Sequence, residues 1–150
     1  MCLLDEVLTW DLQRICCRST SHRAPDNPLR AHGRLGAACA IEYAAQAVAV
    51  HGALMQNPTA SASGFGMLTS ARRVEFAVAR LDDLASELMV NAQRLHSDAA
   101  SALYSFALQD GTRLVAQGRL SLLHGPIVGA NLAGLPGPSD TSGTSAGSPR

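Results

Sequence analysis

The sequence predicts an α+β fold in which one antiparallel sheet covers a single long helix. Two observations lead to this prediction. Residues 35–56 form an apolar run rich in Ala and Leu, which is typical of a helix. The segments on both sides of this run alternate between apolar and polar residues, as strands with one buried face do. Such strands would bury their apolar face against the helix.

Two short strands are predicted before the helix. Residues 6–10 and 13–19 carry β-branched residues, Leu and Cys in partial alternation, and a tight connection near Asp11 would join them. Residues 20–34 contain two prolines, an Asp-Asn pair and Gly33, which together predict a long polar loop leading into the helix. Loops of this length in a compact domain are often functional.

Four further strands are predicted after the helix, within residues 67–123. Asp110 and Gly111 indicate a hairpin between the last two, because an Asp-Gly pair suits the positive φ angles of a tight turn. The remaining residues are mostly Gly, Pro, Ser and Thr. We therefore expect one domain at residues 1–124, followed by a disordered tail at residues 125–150.

Composition excludes several classes of function. The chain has 150 residues, 12 basic and 12 acidic, and only 4% are aromatic, so we expect no binding of nucleic acid. Glu, Gln and His interrupt the apolar run, which argues against a membrane span. The N-terminus lacks a basic region followed by an apolar stretch, so we expect no secretory signal and a cytoplasmic protein.

The four cysteines predict neither a metal site nor a disulfide framework. They show no Cys-x-x-Cys spacing and no accompanying pair of histidines. Cys16 and Cys17 are adjacent in a predicted strand, where neighbours point to opposite faces. We therefore expect one of these two to be buried as a small hydrophobic residue.

Glu42 is the only formally charged residue in the helical run, and it is the first candidate for a catalytic group. Gln46 lies one turn later on the same face. An ionised carboxylate is rarely placed in apolar surroundings unless it is paired, and burial raises the pKa of a carboxyl group toward values useful for general acid catalysis. His51 lies half a turn round the helix from Glu42, so we expect it to be a core or interface residue.

Several segments give the chain a recognisable likeness to a known family. AIEYAAQAVAVHGAL, SHRAPDNPLR and the stretch from RLDDLASELMV to LSLL resemble the 3-hydroxyacyl-acyl-carrier-protein dehydratase-like proteins of aryl polyene pathways. The resemblance spans residues 1–124 and implies a hotdog fold, with a curved antiparallel sheet wrapped around one long central helix. Such proteins usually carry a Pro-His-x-Gly-like element immediately before the Met-Cys-Leu-Leu-Asp segment, which forms residues 1–5 here. We therefore expect the natural chain to begin upstream of Met1.

The resemblance also implies a reaction and a set of site residues. A β-hydroxyacyl thioester on the phosphopantetheine arm of an acyl carrier protein would lose water to give the trans-2-enoyl product, without a metal or other cofactor. Glu42 and Gln46 match the Glu-x-x-x-Gln pattern, so Glu42 would protonate the departing hydroxyl. Gly36 and Ala37 at the helix N-terminus would polarise the thioester carbonyl, and Gln46 would also bind substrate.

The base implied by the resemblance is a histidine, and two positions remain open for it. Similar dehydratases place it in a His-Phe-Pro segment, which this chain lacks; its loop offers His22 and His32 instead. For each of them the alternative is a solvated loop side chain.

Hotdog domains generally pair, so the resemblance implies a homodimer or a heterodimer with a second hotdog protein. Two other functions remain open. The chain could be a non-catalytic partner subunit that stabilises an active hotdog protein, or it could be an acyl thioesterase in which Glu42 orients water.

Overall fold

The computed structural model describes residues 2–56 and 63–126, together with residues 136, 137 and 139. Its elements follow in the order β1 (Glu6–Trp10), β2 (Arg14–Ser19), α1 (Ala40–Leu54), β3 (Ser63–Phe76), β4 (Leu88–Ser97), β5 (Ser101–Asp110) and β6 (Arg113–Pro126). The strands form one antiparallel sheet in the order β1-β2-β4-β5-β6-β3. This architecture confirms the predicted α+β hotdog fold.

The core lies between α1 and the inner face of the sheet. Tyr43, Ala44, Ala47 and Val48 are fully buried on the side of α1 that faces the strands. Alanines at these positions let the helix approach the sheet closely. Residues 37–54 are long and apolar enough to span a membrane by length and composition, but half of this stretch is buried inside the fold. Its apolar character therefore reflects a core helix packed on a sheet.

The predicted hairpin and the predicted cysteine environments are both confirmed. Asp110 pairs with Arg113 across the β5–β6 turn, and Gly111 has the positive φ of 62° that such a turn requires. All four cysteines are free. Cys17 points into the core and is fully buried, whereas its neighbour Cys16 is half-buried.

The helix begins later than the sequence predicts. The apolar run starts at Leu35, but α1 starts at Ala40 and follows a 3-10 turn at Ala37–Cys39. Leu35 instead accepts a backbone hydrogen bond from Leu81, and Ala37 donates one to the carbonyl of Ala79. These long-range bonds hold the backbone extended where local composition favours a helix.

The first two residues of the predicted tail belong to β6. This strand runs to Pro126, two residues beyond the expected end of the domain. Residues 127–135, 138 and 140–150 fall outside the described residues, so the disordered tail stays a prediction.

Candidate active site

Glu42 and Gln46 lie together on the face of α1 that the sheet does not cover. Glu42 is half-buried rather than buried as expected. The side-chain amide of Gln46 donates to Glu42 Oε1 at 3.4 Å. The Gln46 Oε1 atom accepts the backbone N–H of Leu3 at 2.8 Å. The N-terminal segment thus orients the Gln46 amide so that its NH₂ group faces the acid.

A polar network attaches the loop of residues 20–34 to the same part of the helix. The Tyr43 hydroxyl lies 2.7 Å from Ser21 Oγ and accepts a hydrogen bond from Asn27 Nδ2 at 3.1 Å. The Ser21 hydroxyl donates to the carbonyl of Leu3 at 2.7 Å. Burial raises the pKa of Tyr43, so its hydroxyl stays protonated. The network places His22, the residue after Ser21, in a segment that contacts the first turns of α1.

His22 lies inside the protein with no exposed surface, so the alternative of a solvated side chain is wrong for this residue. Its Nε2 atom lies 3.3 Å from the carbonyl oxygen of Leu84. A carbonyl can only accept, so Nε2 carries the proton and Nδ1 carries a lone pair. Nδ1 has no hydrogen-bond partner in the described part of the chain. Burial lowers the pKa of His22, which favours this neutral imidazole.

His32 lies at the tip of an exposed turn. Ala31 and Arg34 exchange two backbone hydrogen bonds across it, and His32 and Gly33 both have positive φ angles, of 53° and 75°. This is the geometry of a type I′ turn, in which glycine and polar residues are common. The solvated position matches the alternative stated for His32. Within residues 2–56 and 63–126, no hydrogen bond or ion pair joins either loop histidine to Glu42.

Gly36 and Ala37 differ in what their amides can do. Leu35 and Ala37 make the two backbone hydrogen bonds to the segment around Arg80, so the N–H and C=O of Gly36 between them point away from that segment. A Cβ atom added to Gly36 would meet no atom within 4 Å. The Ala37 amide already donates to Ala79 and is not available to a substrate. Of the two predicted positions, only Gly36 has an N–H that points away from the segment around Arg80.

Asp82 organises the approach to the helix, although the sequence analysis did not single it out. Its Oδ1 atom accepts the backbone N–H of Leu35 at 3.0 Å and Arg80 Nε at 3.1 Å. Arg30 lies 3.6 Å from Oδ2, and the Asp82 side chain is only 6% exposed. The hydrogen bond from Arg80 is the main reason that the pKa of Asp82 lies well below its usual value. Asp82 is followed directly by Asp83, and nothing in the local sequence distinguishes the role of one carboxylate from that of the other.

The family of the chain follows from a comparison along its length. A family model described as ApeP-like, ApeP dehydratase, matches residues 1–131, which include every residue of the candidate site. The chain belongs to the ApeP-like dehydratase family. No curated protein matches it by sequence.

Solved structures show that this ApeP-like chain shares its fold with proteins of different activities. The dehydratase heterocomplex ApeI:P from Xenorhabdus doucetiae matches with a TM-score of 0.69 and 22% identity, over 85% of this chain and 84% of that one. A thioesterase from Haemophilus influenzae matches with a TM-score of 0.60 and 10% identity, over 82% and 79%. AziG from S. sahachiroi matches with a TM-score of 0.58 and 20% identity, over 81% and 91%. These low identities support the hotdog fold alone.

His51 has the core position that the sequence predicts, away from the candidate site. It is fully buried, and its two ring nitrogens lie 2.8 Å from the Tyr104 hydroxyl and 2.7 Å from the Asp11 carbonyl. The rings of Trp10 and Tyr104 both pack edge-on against the imidazole. Both nitrogens are satisfied by the protein, so His51 has no capacity left for a substrate.

Proposed function

We propose that this chain is a 3-hydroxyacyl-acyl-carrier-protein dehydratase that eliminates water from a β-hydroxyacyl thioester, in aryl polyene-type biosynthesis in the cytoplasm. The observation that carries the proposal is the buried His22 ring, whose Nε2 lies 3.3 Å from the Leu84 carbonyl oxygen and whose Nδ1 has no hydrogen-bond partner among the described residues. Its lone pair is on Nδ1, and its loop is hydrogen-bonded to the helical turns that carry Glu42. A base and an acid on adjoining segments are what a β-elimination requires.

In the proposed reaction, Nδ1 of His22 takes the proton from the α-carbon of the substrate. The electron pair of that bond forms the carbon–carbon double bond, and the 3-hydroxyl leaves as water with a proton from Glu42. Solvent then returns a proton to Glu42 and accepts one from His22, so the enzyme is regenerated. The elimination, as proposed, needs no metal or redox cofactor.

The backbone and Gln46 have supporting roles in this proposal. The N–H of Gly36 donates to the thioester oxygen as negative charge develops there, because it points away from the neighbouring strand segment. The engaged amide of Ala37 holds Gly36 in this orientation. Gln46 borders the substrate and keeps Glu42 in place through its NH₂ group.

The assignment of the base to His22 requires a path for the substrate to a buried ring. The ring has no exposed surface in the isolated chain, so an acyl chain reaches Nδ1 only when the covering segment is displaced. His32 is the second candidate for the base. It is already exposed, but it lies on a turn, and within the described residues its ring has no hydrogen bond to the backbone that would set its tautomer.

A second hotdog subunit and an acyl carrier protein are the proposed partners. β3 is an edge strand, and Met67 and Leu68 on it are 61% and 37% exposed. Exposed apolar residues on a long edge strand are typical of an interface. The match to a heterocomplex favours a heterodimer over a homodimer.

A non-catalytic partner subunit is the other function that a specific observation favours. No hydrogen bond or ion pair among the described residues joins a loop histidine to Glu42, so the active pair could form in a second hotdog protein that this chain stabilises. The two candidate functions differ in whether Glu42 of this chain is needed for turnover.

Mass spectrometry of the carrier-bound product tests the proposal. The purified protein, alone and with a hotdog partner, is incubated with a 3-hydroxyacyl thioester of a carrier protein, in parallel with Glu42→Gln, His22→Ala and His32→Ala. Loss of one water that depends on Glu42 and His22 is the expected result. Dependence on His32 alone would move the base to that residue. Activity in the complex without need of Glu42 would indicate the non-catalytic subunit, and release of free acid would indicate a thioesterase.

A further inference from the structure

Arg30 holds the loop of residues 20–34 together from the inside. Its Nε atom donates to the carbonyl of Ala24 at 2.8 Å, and Nη1 donates to that of Gly33 at 3.0 Å. Nη2 donates to the carbonyl of His22 at 3.4 Å. The planar guanidinium thus bonds three carbonyls spread over most of the loop, which an ammonium group could not reach in the same geometry. One of the three carbonyls belongs to His22, the proposed base.

Asp82 connects the Arg30 guanidinium to the segment of Leu35 and Gly36. Its Oδ2 atom lies 3.6 Å from Arg30 Nη1, and its Oδ1 atom accepts the N–H of Leu35, the residue before Gly36. Both side chains are largely buried, with 17% of Arg30 and 6% of Asp82 exposed. Solvent therefore screens this pair less than a surface ion pair.

We propose that the Arg30–Asp82 ion pair is a positioning element, which sets the segment of His22 relative to the segment of Gly36. The inference rests on the proposed function, because it concerns the relative placement of the base and the thioester-binding amide. Neither residue of the pair touches the substrate. Elimination needs the α-carbon and the thioester oxygen of one substrate held at two sites at once, so a small displacement of one segment lowers the rate.

The chain offers matched variants that isolate this role. Arg30→Gln removes the charge and the fork, and Arg30→Lys keeps the charge but cannot bond the three carbonyls together. Arg34→Gln removes a cation from the exposed end of the same loop and is the control. Arg80→Gln removes the other cation that binds Asp82. The Arg80 side chain has no hydrogen bond to a carbonyl of the loop in the described residues.

Steady-state kinetics of the active protein or complex gives the first readout. We expect kcat to fall on the order of 10- to 100-fold in Arg30→Gln and in Arg30→Lys, with KM changed less than about threefold. Asp82→Asn, which keeps an oxygen for the Leu35 N–H, should lower kcat in the same direction. Arg34→Gln should leave both constants unchanged. Unchanged kcat in both Arg30 variants would overturn the proposal.

Hydrogen exchange gives a second readout that does not depend on turnover. Residues 20–36 should exchange faster in Arg30→Gln than in Arg34→Gln, while the strands of the core exchange as in the wild type. Faster exchange across the whole chain would show a general loss of stability and count against a positioning role. If the wild type itself produces no enoyl thioester, the proposed function fails, and the exchange of residues 20–36 alone then decides whether the pair orders the two segments.

Discussion

The Nδ1 atom of His51 lies 2.8 Å from the hydroxyl oxygen of Tyr104, and neither side chain has any exposed surface. Because Nε2 of the same ring donates to the carbonyl of Asp11, Nδ1 accepts and the Tyr104 hydroxyl donates. The pair joins the end of α1 to the middle of β5. Burial lowers the pKa of His51, which favours the neutral form of its ring.

Replacement of Tyr104 by phenylalanine should destabilise the protein without changing its fold. The change leaves the buried Nδ1 acceptor of His51 without a donor, which costs about 1–3 kcal/mol of the free energy of unfolding. Urea denaturation of the wild type, Tyr104→Phe, His51→Leu and the double variant measures the coupling. An additive double variant would show that the hydrogen bond contributes nothing.

Stability should fall as the solution becomes acidic. Burial lowers the pKa of His22 and of His51 from the ordinary value of 6.5, so the unfolded chain binds more protons than the folded chain below that pH. The stability from keeping these rings neutral is complete above pH 6.5 and is lost as the pH falls below it, by up to about 1.4 kcal/mol per pH unit for each ring.

The pH dependence can be assigned with two variants. Thermal unfolding between neutral and mildly acidic pH should depend less on pH in His51→Gln than in the wild type. His96→Gln, at an exposed position, controls for the loss of a histidine as such. Equal slopes in the wild type and in His51→Gln would remove His51 from the explanation.

An alanine at Gly118 should destabilise the fold, whereas one at Gly36 should not. A Cβ atom at Gly118 would lie 2.9 Å from Val74 Cγ2 and 3.1 Å from Phe106 Cε1, and 3.0 Å from the backbone Cα of Val74. Overpacking of this kind costs about 1–3 kcal/mol. Gly36 has open space and a φ of −67°, so Gly36→Ala should keep the urea midpoint. A Gly118→Ala variant as stable as the wild type would contradict the close packing of β3 on β6.

A lysine at Met67 should weaken association with the proposed hotdog partner. Met67 lies exposed on the edge strand β3, so the change should leave the stability of the chain alone unaffected. A charge on the proposed interface should lower the affinity about tenfold or more, as measured by analytical ultracentrifugation. Leu12→Lys is the control, since Leu12 is 67% exposed in the turn between β1 and β2. If Leu12→Lys weakened association and Met67→Lys did not, the interface would lie elsewhere.

Positions on a single element could be predicted because helix and strand periods are local properties of the chain. The i to i+4 spacing places Gln46 beside Glu42, and the half-turn offset sends His51 into the core. The Asp110-Gly111 pair identified the last hairpin for the same reason, since a tight turn is formed by a few consecutive residues; Gly111 is the first of the two residues between Asp110 and Arg113. The family likeness, carried by short segments, identified the family shown by the match over residues 1–131.

By itself, the sequence determined the α+β hotdog class, the family and the face of α1 that carries Glu42. Only the tertiary structure decided that Leu35 is extended, that His22 is enclosed against Leu84, and that Arg30 and Asp82 meet. Each of these depends on a contact between residues far apart in the chain. Such a contact overrides local propensity, because an unpaired backbone group or charge costs more inside the fold than a few residues gain from forming a helix.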